Sequence, residues 1–137
     1  AQKKDVGIIA RVPLASGLLP GKLSKDTVFG KNDHRFYNRN GEAFDKGETF
    51  SGVDYESGLT AVSELKALLG TENLIPYALR WILMHEAVSV VIPGASKTAQ
   101  LLQNVKAAEL PDLTPEQMVG VKAIYDKYIR PTVHHLW

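Results

Sequence analysis

Apolar residues recur along this chain in two different rhythms. Val6-Gly7-Ile8-Ile9-Ala10 and Val88-Ser89-Val90-Val91-Ile92 are short, β-branched and without strict alternation. That is the pattern of strands covered on both faces, so two buried strands are expected. Elsewhere the spacing is helical. Leu59, Val62, Leu65, Leu68 and Leu69 make one stripe, closed by Gly70 as a C-terminal stop. A second helix is predicted from about Leu74 to His85, with Asn73 as cap, Pro76 in the first turn and Leu79, Ile82 and Leu83 as its apolar stripe. Thr98 to Ala108 reads as a third. Thr114-Pro115-Glu116-Gln117 carries a threonine cap, a proline at the first helical position and a glutamine placed to complete a capping box. Met118, Val121, Tyr125 and Tyr128 then repeat at 3-4-3 spacing until Pro131, which is expected to stop that helix.

Two stretches escape both rhythms. Arg11 to Lys22 holds two prolines and two glycines, and proline cannot donate to a sheet ladder, so the first strand must end near Val12. Residues 23 to 58 mix polar residues with Phe29, Phe36, Tyr37, Phe44 and Phe50 in no sustained period, and are expected to form a long loop. Those aromatics either wall a pocket or anchor the loop. The inventory is α/β, yet two strands are too few for an independent sheet. The chain therefore reads as the tail of a larger α/β fold whose edges invite pairing, either with itself or with the missing part of the sheet.

Composition narrows the function classes. The 137 residues carry a formal charge of +1, which gives no long-range field favouring nucleic acid or an anionic membrane. There is no cysteine, which removes disulfides and thiolate chemistry and fits a reducing cytoplasm. No apolar run approaches the ~18 residues of a membrane span, and Ala1 to Asp5 shows no signal-peptide pattern. The absence of an initiator methionine and a start almost on a strand favour a chain cut from something longer.

The chemistry concentrates at Val91-Ile92-Pro93-Gly94-Ala95-Ser96-Lys97, where the second strand gives way to a helix. A strand passing this quickly into a helix aims that helix's free N–H groups beyond the strand's carboxyl end, which is a ready anion site. Gly94 permits close backbone approach, Ser96 adds a hydroxyl and Lys97 a positive charge. At about 100° per residue, Ser96, Gln100, Gln103 and Asn104 share one side, with Leu101, Val105 and Ala108 opposite. One face is expected to pack while the other offers amides suited to the edge of a base. An ordinary amphipathic helix with a serine near its cap explains the same spacing.

These residues, with Gln100-Leu101 and Asn104, resemble the last βα unit of the aldo-keto reductases, in the branch shared by bacterial enzymes and potassium-channel beta subunits. Arg11-Val12-Pro13-Leu14-Ala15-Ser16-Gly17-Leu18-Leu19-Pro20-Gly21-Lys22 resembles that family's seventh-strand segment, and Ala78-Leu79-Arg80-Trp81-Ile82-Leu83 the helix before its eighth strand. The resemblance runs from about residue 6 to 110. It implies the final quarter of a (β/α)8 TIM barrel: one C-terminal fragment over 1–137, with a long loop at about 23–58 and a C-terminal helix at 114–130. It also implies NADP(H) across the carboxyl ends of the strands. Gly94, Ser96, Lys97, Gln100, Gln103 and Asn104 would hold the adenosine and its 2′-phosphate. Val12, Pro13, Leu14, Ser16 and Lys22 would run along the nicotinamide and pyrophosphate, and Arg35 would fold over the cofactor.

Two positions depart from the family pattern. Arg11 stands where the family has an aromatic residue stacked on the nicotinamide, and Gln103 stands where it has glutamate. The family's catalytic tyrosine and its lysine, aspartate and histidine partners have no counterpart motif here, so no catalytic residue is assigned. The implied parent reduces small carbonyl compounds, with this segment alone expected to be inactive; a cofactor-sensing subunit and an inactive truncated remnant that oligomerises are the alternatives. No metal is expected: His134 and His135 are adjacent and read as a solvated terminal turn. His85 suits a helix C-terminus, and His34 is a candidate substrate or phosphate contact. Lys31, Arg35, Arg39 and Lys46 read as a solvated basic face, Tyr125 and Tyr128 as helix packing, and Trp137 as a terminal anchor.

Overall fold

The structure is a computed structural model, and it describes residues 1–136. Expectations for Trp137 lie outside the described residues. Two strands, β1 (Ile8–Ala10) and β2 (Val88–Val91), pair in parallel, with Ile8 opposite Val88, Ile9 opposite Val90 and Ala10 opposite Val91. The register slips between Ile8 and Ile9. Gly7 lies beside that slip, and a Cβ there would collide with the Ser89 hydroxyl.

After β1 the chain curls rather than extends. Val12, Ala15 and Ser16 all take positive φ, followed by Gly17 at 94°. A β-branched residue at φ 51° is a rare conformation that the surroundings must hold in place. The insert that follows contains one helical turn, α1 (His34–Tyr37), capped by the Asp33 side chain accepting from the Arg35 N–H at 2.9 Å. The main helices come next: α2 (Tyr55–Leu69) and α3 (Ile75–Leu83), then α4 (Thr98–Lys106) after β2, α5 (Pro115–Tyr128) and the short α6 (Arg130–Val133). Helix α5 packs along α2, while α3 lies against β2 and α4.

Local signals placed most ends well. Gly70 closes α2 in the left-handed region, at φ 62°. Thr114 and Gln117 form the expected reciprocal box, with Gln117 N–H donating to Thr114 Oγ1 at 3.2 Å and Thr114 N–H to Gln117 Oε1 at 2.9 Å. Four boundaries differ. Helix α2 starts at Tyr55, inside the predicted loop, because Asp54 caps it by accepting from Ser57 N–H at 2.9 Å. Asn73 lies one residue before the cap position of α3 and accepts from Ile75 N–H instead. That helix ends at Leu83, so His85 lies beyond it, with its ring edge-on to Trp81. Pro131 does not stop the last helix but opens a new turn, its fixed φ suiting the first positions of α6.

Two burial expectations fail. The strands are not buried: Ile9 is 65% exposed and Val90 41%, because no strand or helix among the described residues covers their outer sides. Helix α4 is inverted. Leu101, Leu102 and Val105 face solvent, whereas Gln103 and Asn104 turn partly inward. Periodicity finds the two sides of a helix but not which side a neighbour will cover.

The core lies instead in the insert and the helices. Leu18, Phe29, Phe50, Tyr55, Val62 and Leu74 form one buried cluster. Phe29, Phe50 and Tyr55 meet ring to ring at 5.0 to 6.2 Å. The insert's buried aromatics are therefore anchors, while Phe36, Tyr37 and Phe44 remain exposed. Its arginines are not a solvated face. Arg35 lies over the Phe29 ring at 4.6 Å and Arg39 over Tyr55 at 4.6 Å, desolvating one side of the aromatic cluster with cations. Between α2, α3 and α5 the packing stays open, leaving an apolar cavity of about 860 Å³ walled by Val62, Leu74, Trp81, Met118 and Ile124 among others.

Candidate functional site

Because β1 and β2 run parallel, the segments following them leave the same end of the sheet. All thirteen residues assigned to the cofactor follow these two strands, and the structure sorts twelve of them into two groups, with Lys22 in neither.

The first group lies at the β2–α4 junction. Lys97 occupies the N-cap position of α4 but has no acceptor to offer its helix, so only half a capping box forms. Gln100 supplies that half. Its Oε1 accepts from Ser96 N–H at 2.8 Å, Lys97 N–H at 3.1 Å and Ser96 Oγ at 3.1 Å. Three donors thus converge on a single oxygen just beyond the strand, which is the donor set that one phosphate oxygen requires. Gly94 is exposed, with open space among the described residues where a Cβ would point. Lys97 is exposed, and Gln103 is half-buried. One turn further on, the buried Asn104 Nδ2 has no hydrogen-bond partner among the described residues. An orphaned buried donor of that kind is unusual, although Arg80 Nε shares the condition.

The second group surrounds residues 11–17. Arg11 is exposed and makes a bidentate pair with Glu48, Nη1 to Oε1 at 3.0 Å and Nη2 to Oε2 at 2.8 Å. The pairing holds the Glu48 carboxyl below its usual range, chiefly through the hydrogen bonds from Arg11. Ser16 Oγ accepts from Phe50 N–H at 3.2 Å and donates to the Glu48 carbonyl at 3.4 Å. Arg35 Nη1 donates to the Ser16 carbonyl at 3.2 Å. Its other donors grip Asp33, Nη2 to Oδ2 at 2.6 Å and Nε to Oδ1 at 2.9 Å, which lowers the Asp33 carboxyl to about 2. Arg11, Ser16 and Arg35 are therefore brought together by the insert. Val12, Pro13 and Leu14 form the curl between them, with Val12 exposed and the other two half-buried. Lys22 is exposed beyond the turn at Gly21 and joins neither group.

Sequence reasoning missed Glu48 and Asn38. Asn38 is fully buried and organises the insert, its Oδ1 accepting from Ala43 and Phe44 N–H at 2.8 Å each while Nδ2 donates to Thr49 Oγ1 at 3.3 Å. The only local signal was Asp45-Lys46-Gly47, an Asx turn in which Asp45 accepts from Gly47 N–H at 2.7 Å. His34 is half-buried beside Asp33, 3.8 Å away, and His134 hydrogen-bonds Tyr125 at 2.7 Å. Tyr128 donates to Glu64 on α2.

The family model described as "Aldo/keto reductase family" matches residues 1–126. The chain belongs to the aldo/keto reductase family. It is 32% identical over 129 residues to an aldo-keto reductase of Strobilurus tenacellus, covering 93% of this chain and 35% of that protein. It is 30% identical over 136 residues to L-glyceraldehyde 3-phosphate reductase of Escherichia coli O157:H7, covering 99% and 37%. A probable voltage-gated potassium channel subunit beta of Oryza sativa subsp. japonica is 35% identical over 123 residues, covering 87% and 35%. Among solved structures, the glycerol dehydrogenase of Gluconobacter oxydans superposes with a TM-score of 0.69 at 29% identity, covering 94% of this chain and 37% of that one.

This aldo/keto reductase chain thus spans little more than a third of the length of the relatives it matches. A fragment of a TIM-barrel enzyme fits the structure, and the exposed strands have the physical character of sheet surface awaiting neighbours. No helix among the described residues is long and apolar enough to cross a membrane.

Proposed function

We propose that this chain is the NADP(H)-binding, C-terminal part of an aldo-keto reductase that reduces small aldehydes or ketones. The supporting observation is the convergence of three donors on one oxygen at the start of α4, with the orphaned Asn104 amide one turn beyond. On this reading the amide oxygen of Gln100 stands in for a phosphate oxygen. Ser96 and Lys97 then hold the 2′-phosphate, with Gly94 leaving room for it. Gln100, Gln103 and Asn104 address the adenine, the Asn104 side chain turning its inward-facing amide outward to do so.

The curl after β1 takes the other end of the dinucleotide. Arg11, Val12, Pro13, Leu14 and Ser16 lie along the nicotinamide and pyrophosphate, Lys22 screens phosphate charge, and Arg35 closes over them from the insert. When bound, the cofactor supplies a hydride to a carbonyl carbon. The residues of this chain bind and orient it, and none of them is assigned a proton-transfer step. The setting is cytoplasmic.

The test is selectivity between two dinucleotides. Replacing Ser96 and Lys97 together by alanine should raise the Kd for NADPH at least ~10-fold, since hydrogen bonds to a charged phosphate contribute roughly 1.5–3 kcal/mol each. The Kd for NADH should barely move. An equal loss for both removes the 2′-phosphate assignment.

The channel-subunit names among the relatives favour a second reading, an NADP(H)-sensing regulatory subunit with incidental turnover. The two separate on turnover in the whole protein: brisk carbonyl reduction excludes the sensor. Under either reading the exposed strand faces and the open apolar cavity call for a protein partner, a second copy or the remainder of a barrel.

A further inference from the structure

Arg11, which the proposed function sets beside the nicotinamide, has an unusual neighbour. Its guanidinium is fully engaged on one edge by a carboxylate, and that carboxylate is itself held in place. The Glu48 backbone carbonyl accepts from Ser16 Oγ, its N–H donates to the Asp45 carbonyl at 3.1 Å, and the next residue, Thr49, is buried and tied to Asn38. The insert therefore delivers Glu48 to Arg11 from a fixed backbone rather than from a mobile tip.

Two parallel N–H···O bonds make the guanidinium and carboxylate into one flat unit with no net charge. We propose that Glu48 is a positioning residue acting through Arg11, and that the Arg11–Glu48 pair is a neutral planar platform for the nicotinamide ring. This rests on the NADP(H) reading above.

The charge state of the ring gives the platform its consequence. Oxidised nicotinamide is cationic, and the reduced ring, having gained a hydride, is neutral. A bare guanidinium beside the ring would repel the oxidised form and leave the reduced form almost untouched. Glu48 cancels that repulsion, so it sets the relative affinity for the two redox forms.

Equilibrium titration of the whole chain with NADP+ and, separately, NADPH tests this in the wild type, Glu48→Gln and Glu48→Asp. Gln is nearly isosteric but removes the charge. Asp keeps the charge and shortens the side chain. Glu48→Gln should weaken NADP+ about fivefold more than NADPH, the scale of one charge pair a few ångströms apart in a water-rich site. Glu48→Asp should keep the wild-type ratio of the two constants. A purely structural role would make the shorter Asp the more disruptive change and would shift both constants together. Either of those results overturns the inference while leaving the NADP(H) reading intact. A wild-type chain that binds neither form removes both.

Discussion

Phe50 and Ile9 are large apolar side chains in segments that meet around the end of β1, yet Phe50 is 1% exposed and Ile9 65%. The insert has finished its packing, with a ring cluster, cations laid over the rings and a fully bonded Asn38 at its centre. The strand pair and α4 have not: Ile9, Ile92, Leu101, Leu102 and Val105 all face outward. The difference separates two kinds of sequence information. Residues of the insert specify contacts with one another, whereas those of the strands and α4 leave large apolar side chains uncovered in this chain.

The largest test of that contrast is a pair of substitutions. Phe50→Ala empties a closed site and should cost about 3–5 kcal/mol in denaturant titrations. Ile9→Lys should change the unfolding free energy by less than about 0.5 kcal/mol, because an exposed side chain gives up little on substitution. The same lysine should reduce self-association in sedimentation experiments, since it charges the open strand face. Equal destabilisation by the two changes would mean that the strand face is already covered in solution, and the contrast would fall.

A second test lies inside the insert. Asn38→Ala leaves the Ala43 and Phe44 N–H groups without their acceptor, and an unsatisfied buried donor costs roughly 1–3 kcal/mol. The loss should appear first as faster amide hydrogen exchange over residues 43–50, with α5 little changed. Uniform acceleration across the chain would show that the insert is not a separately braced unit.

How much of this was legible beforehand follows the same division. Gly70, Asp54 and Thr114 act on groups a few residues away, and the two of them read from sequence, Gly70 and Thr114, sit as their residue types require. The order of strands and helices follows from periods of two kinds. The polarity of α4 was not legible, because Leu101 and Val105 on one side and Asn104 on the other are distinguished only by what each meets. Glu48 was equally hidden: its partner is 37 residues away, and no period or motif links Glu48 to Arg11. The junction residues Ser96, Lys97 and Gln100 were legible because a strand-to-helix turn brings its own donors together.

The smallest expected effect distinguishes the regions by pH. In the folded chain the Asp33 carboxyl is lowered to about 2, first by hydrogen bonds from the Arg35 side chain. His34, 3.8 Å away, adds a smaller electrostatic contribution in the same direction. An unfolded aspartate titrates near ~3.9. A depressed folded value means that this stabilisation is complete above about pH 5 and disappears as pH falls from about 4 towards 2. The full shift corresponds to about 2.5 kcal/mol, but the Asp33 side chain is 25% exposed and solvent screening trims the net figure to about 1 kcal/mol. Asp33→Asn should therefore destabilise the insert by about 1 kcal/mol at pH 7 and by almost nothing at pH 2, read as hydrogen exchange around residues 33–38. The strand pair offers no such titration, since β1 and β2 contain no ionisable side chain. A pH-independent effect of the substitution would place the role of Asp33 in its cap on α1, where the asparagine oxygen can still accept from the Arg35 N–H, rather than in its charge.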